Sequence, residues 1–256
     1  MFQRTAYVSI AILSLLSFSR VASAEGGPPL LTDDPWTPGD KHWEINLAVT
    51  SEVNHDEFRF EAPIADINYG VGEHIQLKYE VPFTVSGGTA QTTQSGLAQS
   101  IAGVKWRYLD KERVGVAMST YPQVSFRTVG GFRPASSDSD ANESGTEFLL
   151  PIELEEGSGV FKFNQELGYH IVQGTNAHYA YGGGLTYSLR DGFLLLGEIH
   201  GESSTSLSES NWVSNFGTVY DLSGHLSLLI SVGRTLINSD DSAAKYLSYT
   251  GMQLRL

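Results

Sequence analysis

Residues 74–85 read HIQLKYEVPFTV. Ile75, Leu77, Tyr79, Val81, Phe83 and Val85 alternate with Gln76, Lys78, Glu80 and Thr84. A period of two puts one set on each side of a strand. One side is purely apolar, and the other carries charges of both signs. A helix would mix the two sets, so the stretch is a strand between an apolar and a polar phase.

The same pattern recurs to the end of the chain. It covers residues 42–50, 57–69, 100–109, 113–127, 146–155, 160–171, 177–189, 192–202, 212–222, 225–234 and 246–256. Parity changes once inside 57–69, between Phe58/Phe60 and Ile67/Tyr69, which predicts a bulge near Pro63. About twelve strands result, the even number that single-chain bacterial barrels use. The predicted fold is all-β, an antiparallel transmembrane barrel over residues 42–256. Abundant Gly, Tyr and Phe (27, 12 and 12) suit strands and turns.

Connections predict the setting. Counted from the first strand, odd ones are long or polar (51–56, 86–99, 128–145, 172–176, 203–211, 235–245). Even ones are tight (70–73, 110–112, 156–159, 190–191, 223–224). Long loops on one side and short turns on the other is the outer-membrane pattern, with both termini on the periplasmic side and 86–99 and 128–145 outside the cell. Trp43, Tyr69, Tyr108, Phe161, Tyr187, Phe193 and Tyr220 fall near tight turns, and Phe83, Phe126, Phe148 and Tyr179 near long loops. These are expected as two interfacial girdles. The rival is a soluble exported barrel or sandwich with its apolar face inward.

Residues 1–24 carry Arg4, an apolar run at 7–18 and Ala22-Ser23-Ala24, the layout of a secretory signal peptide. The run is shorter than the ~20 residues of a spanning helix. A net charge of −13 argues against nucleic acid, and the absence of Cys excludes disulfides and thiolate metal sites. Residues 25–41 contain four Pro and read as an extended lead-in on the periplasmic side.

Residues 30–48 (LLTDDPWTPGDKHWEINLA), 63–82 (PIADINYGVGEHIQLKYEVP), 103–109 (GVKWRYL) and 121–124 (YPQV) together resemble a family of outer-membrane transporters. That family is labelled after the MetA pathway of phenol degradation. The resemblance implies a barrel with a channel role, and the phenol label is not read as an activity; hydrophobic or aromatic compounds are the cargo to consider. Leu256 stands where such barrels end in an aromatic residue.

If the apolar side meets lipid, the polar side lines the lumen. Its candidate lining residues are Glu44, Asp66, Lys78, Glu80, Lys105, Arg107, Arg127, Glu147, Glu153, Glu155, Lys162, Glu166, Glu198 and Arg255. They would form either a propping ion-pair network or a selectivity lining. Asp33 and Asp34 of the lead-in are the candidate gate, with Lys105 and Arg107 as expected partners. His170, His178 and His200 share the polar side of neighbouring strands, but their spacing is unspecific and no metal is assigned. The acidic loop 138–143 departs from a calcium loop at the expected Gly and Glu positions. No cofactor is implied.

Passive passage of small molecules through the outer membrane is the expected function. The expected partners are outer-membrane lipids, the barrel-insertion machinery and small solutes. A structural or adhesive barrel acting through surface loops is the first alternative. An outer-membrane lipid-modifying enzyme built on His200-Gly201-Glu202-Ser203 is the second. No nucleophile elbow surrounds that tetrapeptide, so the chain is not read as an enzyme.

Overall fold

A computed structural model describes residues 27–89, 92–128, 146–173, 176–208, 210–238 and 244–256. The signal segment 1–24 and the acidic loop 138–143 therefore lie outside the described residues. The strands are β1 (Trp43–Val53), β2 (Glu57–Val71), β3 (Ile75–Gly88), β4 (Gln94–Leu97) and β5 (Gln99–Leu109). One helical turn, α1 (Lys111–Val114), follows, then β6 (Ala117–Thr120), β7 (Gln123–Arg127), β8 (Glu147–Ser158) and β9 (Phe161–Val172). The series ends with β10 (His178–Arg190), β11 (Phe193–Ser204), β12 (Ser210–Asp221), β13 (Leu226–Asn238) and β14 (Tyr246–Arg255).

Neighbouring strands pair antiparallel, and β1 pairs β14 from Glu44↔Arg255 to Val53↔Tyr246, closing the sheet. Both β4 and β5 pair with β3, and both β6 and β7 pair with β8. Each of these couples is one wall strand with a break, at Ala98 and at Tyr121-Pro122. Fourteen segments thus make a wall of twelve strands. The parity change in β2 is a register shift between Glu61 and Ile64 against β3. It lies at Ala62-Pro63, where Pro has no N–H for the ladder.

Exposure decides which side faces out. Trp106, Leu150 and Phe216 are 55%, 56% and 69% exposed, whereas Lys105, Glu153 and Arg107 are 2%, 0% and 8% exposed. A soluble barrel would show the reverse. A continuous apolar exterior costs little only where hydrocarbon surrounds it, so this is a transmembrane barrel of the outer-membrane type. Ring pairs mark both rims of the apolar band. Trp43–Tyr69, Trp106–Tyr108, Phe161–Tyr187 and Phe193–Tyr220 lie toward the tight turns, with centroids 4.5–5.7 Å apart. Phe58–Phe60, Tyr169–Tyr179 and Tyr181–Trp212 lie toward the other rim.

Several boundaries differ from the sequence expectation. Much of 86–99 is strand rather than loop: β3 runs to Gly88, and β4 pairs with it from Phe83↔Leu97 to Ser86↔Gln94. Ladder pairing with a neighbour overrides the weak strand preference of this Gly/Ser/Thr-rich stretch. Residues 113–116 are not strand. They form the end of α1 and its exit, with Gly115 at φ 85° as the left-handed C-cap. Alternating Val114 and Val116 mimicked a strand start there.

Candidate functional site

Residues 27–39 lie inside the barrel, and Asp40 and Lys41 are exposed at its mouth. The segment enters at the tight-turn end, where Lys41 N–H donates to Gly70 O (3.0 Å) and Gly72 N–H to Asp40 Oδ1 (2.9 Å). A Cβ on Gly70 would stand 1.7 Å from Gly39 O, so Gly70 is required for this approach. Deeper in, Trp36 packs under the Arg107 guanidinium at 4.8 Å, and its indole N–H donates to Glu155 Oε2 at 2.8 Å. Glu155 also pairs with Lys111 at 2.8 Å.

An irregular segment has no ladder, so its buried backbone donors must find partners in the wall. Carboxylates supply them. Leu31 and Thr32 N–H donate to the two oxygens of Glu198, each at 2.8 Å, and Asp33 N–H donates to Glu166 at 2.8 Å. Asn215 steadies Glu198 at 2.6 Å. Ser231 Oγ donates to Pro29 O at 2.6 Å. Asp33 and Asp34 also bond locally, with Asp34 N–H donating to Asp33 and Trp36 N–H to Asp34. This local Asx bonding shapes the turn before Pro35.

Lys105 is the hinge of this arrangement. Its ammonium lies 3.0 Å from Asp33, 3.4 Å from Glu153 and 4.7 Å from the Tyr121 ring centroid, and it donates to the Asp34 carbonyl. Ser119 Oγ donates to Glu153. The second expected partner, Arg107, does not reach Asp33 or Asp34. It is held by Asp110 (3.1 Å) and the Glu73 carbonyl (2.8 Å), one level nearer the mouth. Outside the spanning strands, Asp110 is also bonded by His74 at 3.1 Å. That contact first, and Arg107 second, keep its carboxyl below the usual aspartate range.

The other predicted lining residues also face inward. Asp66, Lys78 and Glu80 form a chain (Lys78–Asp66 3.4 Å, Lys78–Glu80 2.8 Å), with Asn46 and Asn68 bonded to Asp66. Glu44 borders a 30 Å³ void beside them. Arg255 pairs with Asp221 at 2.8 Å at the mouth. Lys162, opposite Thr186, is half-buried. Arg127 and Glu147 line a separate cavity near the other end.

Three features escaped the sequence reading. Leu196, Val219 and Leu229 occupy inward positions on consecutive strands and form an apolar patch that receives Leu30. Apolar residues at polar parity were the available signal. Gly182 faces inward where a Cβ would meet Thr32 Oγ1 at 2.2 Å, so Gly182, with Gly184 beside Leu30, makes room for the lead-in. Tyr121, 1% exposed, fills the wall break and accepts from Gln76 at 3.0 Å.

The lead-in divides the lumen unequally. Toward the long-loop end lie cavities of about 390 and 360 Å³. At the Asp33/Asp34/Trp36 level, on its tight-turn side, the described residues line a void of about 30 Å³. The candidate His200/Ser203 pair fails as a dyad. These positions differ by three on β11 and so point to opposite sides of the wall.

The site and fold together define a porin-like outer-membrane barrel with an internal N-terminal segment. Solved structures agree on the fold. The COG4313 outer membrane channel from Pseudomonas putida F1 superposes with TM-score 0.65 at 10% identity, over 87% of this chain and 98% of that one. The NanC porin gives 0.55 at 10% identity (83% and 100%). The KdgM porin in complex with disordered oligogalacturonate gives 0.54 at 9% (82% and 98%). No family model and no curated protein sequence matches the chain, so the resemblance to the family labelled after phenol degradation stays a resemblance.

Proposed function

We propose that this chain is a gated outer-membrane channel for small solutes, with its N-terminal segment as the gate. The observation that carries the reading is the uneven lumen. Cavities of about 390 and 360 Å³ end at a segment held by side-chain bonds rather than by a strand ladder. Such a segment can leave without breaking the barrel.

The lining also suggests a solute class. Eight acidic side chains face the two cavities, against three basic ones, Arg59, Lys78 and Arg127. Fixed charge of one sign in a narrow space favours counter-ions. Ile64, Ile101, Leu149, Leu247 and Tyr249 lie among these acids. Cationic or neutral solutes with an apolar or aromatic part fit both features, whereas an acidic oligosaccharide such as the oligogalacturonate named with KdgM does not. In the proposed orientation the tight turns and both termini are periplasmic, so the gate closes the channel from below.

The native chain has no Cys, which permits a direct test. A Cβ at position 182 would lie 3.1 Å from Thr32 Cβ, a few tenths of an ångström inside the usual ~3.5–4.5 Å disulfide span. Thr32→Cys with Gly182→Cys should lock the gate when oxidised. Planar-bilayer conductance is then expected to vanish under oxidant and to return on reduction. Equal conductance in both states, with the cross-link verified by mass spectrometry, would refute the gate.

A further inference from the structure

Away from the gate, β8, β9 and β10 bring Glu147, His170 and His178 together near the long-loop rim. Their ligand atoms all lie within 4.8 Å of one another. His170 and His178 are direct cross-strand partners, with ring centroids 4.3 Å apart and planes inclined by 17°. Glu147 enters diagonally from β8, where Leu149 is the direct neighbour of His170, and bonds His170 Nδ1. We propose that this trio is a binding site for a borderline divalent metal ion, Zn²⁺ or a neighbour such as Ni²⁺ or Cu²⁺.

The donor set argues for that class. Two imidazoles and one carboxylate suit zinc, copper and nickel, whereas calcium and magnesium take oxygen shells. Metal–ligand bonds of about 2.0–2.2 Å need the three atoms to converge by a modest side-chain rotation. The wall supplies pre-organisation: the histidines come from paired strands, which fix their separation more tightly than loops would. Two protons on the stacked rings would set like charges face to face, while one shared cation satisfies both lone pairs and Glu147 together. Three protein ligands leave a fourth place for water or a donor atom of a solute. Glu147 also lines the 360 Å³ outer cavity, so that place can open toward the lumen.

The grouping differs from the sequence-level trio. His200 sits opposite Gly182, four residues along β10 from His178, and is replaced in the cluster by Glu147. Among the described residues no other group of three such side chains converges. His55–Asp56 and His74–Asp110 are exposed pairs with two ligands each.

The test is isothermal titration of the purified folded barrel with Zn²⁺ alone at neutral pH. One saturable ion per barrel is expected. His170→Ala, His178→Ala and Glu147→Gln should each weaken binding at least about tenfold, since even outer-shell losses cost 10–100-fold. His74→Ala should change nothing. Heat-modifiable migration on gels selects folded variants. Should the histidine variants not fold, carbethoxylation of the native chain decides: Zn²⁺ should protect His170 and His178, and only these. Absence of saturable uptake, uptake indifferent to all three variants, or equal carbethoxylation with and without Zn²⁺ would overturn the site.

Discussion

Replacing Lys105 by Met removes one charge from the centre of the proposed gate. The ammonium is 2% exposed and joins two bodies: Asp33 and Asp34 on the segment, and Glu153 on the wall. Met keeps the apolar stem but removes the ammonium from the Tyr121 ring and leaves the carboxylates without their cation. Breaking a buried pair by removing one partner costs about 3–5 kcal/mol. The barrel cannot relieve that cost by moving Glu153, because β8 is laddered on both sides. The segment can relieve it by carrying Asp33 out to water. Most of the penalty therefore falls on the docked state. At 1.4 kcal/mol per decade, the undocked fraction should rise roughly 10²–10³-fold. Single-channel recording in planar bilayers reads that fraction as open time. Wild-type protein is expected to open rarely, and Lys105→Met often, to the same unit conductance. A variant that folds, shows the heat-modifiable band and keeps wild-type open time would refute the assignment of Lys105 as the latch.

Four further outcomes follow from the geometry. Deleting residues 27–38 should give a permanently open channel with unchanged circular dichroism. Gly182→Val should open it without touching a charge, since a side chain there meets Thr32 Oγ1 at 2.2 Å; wild-type open time would contradict the proposed docking. A salt gradient across the Lys105→Met pore should give a cation-selective reversal potential, and Glu61→Gln with Glu80→Gln should reduce it; anion selectivity would reject the acidic-lining argument. Because Asp110 is held below the usual carboxylate range, its contribution is complete above its unfolded value near pH ~3.9 and is lost as pH falls through the depressed one. The thermal-stability gap between wild type and Asp110→Asn should therefore be present at neutral pH and close in strong acid.

The barrel was legible because its signal is periodic. Each outward residue must be apolar for lipid, so Leu77, Tyr79 and Val81 announce one strand without help from any other. Strand number and the Pro63 bulge came from counting parity. Boundaries were harder, because pairing partners rather than local composition set where β3 and β4 end. The docked segment was legible only in outline. Its prolines excluded a regular element, but its partners are wall carboxylates more than a hundred residues away, such as Glu166 and Glu198. Lys105, chosen as an inward base, bonds Asp33 and the Asp34 carbonyl. Arg107 was chosen on the same ground and is held instead by its neighbour Asp110, a contact that depends on the chain turning at α1. Parity gives the side of the wall that a residue faces, and leaves its height in the lumen and its partner open. The same limit hid the Glu147–His170–His178 cluster, whose members come from three strands and meet only in one register.

The acidic lining has two consequences that oppose each other. Glu166 and Glu198 hold the segment by accepting backbone N–H groups, which an uncharged wall would accept less strongly. On the proposed reading, the same sign of charge would draw cations into the lumen. An entering cation can therefore compete with the segment's N–H groups for Glu166 and Glu198, and with Lys105 for Asp33 and Glu153. Anions cannot compete for carboxylates in this way, and among the described residues the bases lining the outer cavities are Arg59, Lys78 and Arg127. A gate of this construction should be loosened by the class of solute that the lumen prefers. Open time of the wild-type channel should thus rise with the concentration of a small organic cation at constant ionic strength. A matched anion should leave it unchanged. Equal responses to the two would separate selectivity from gating and assign the carboxylates to anchoring alone.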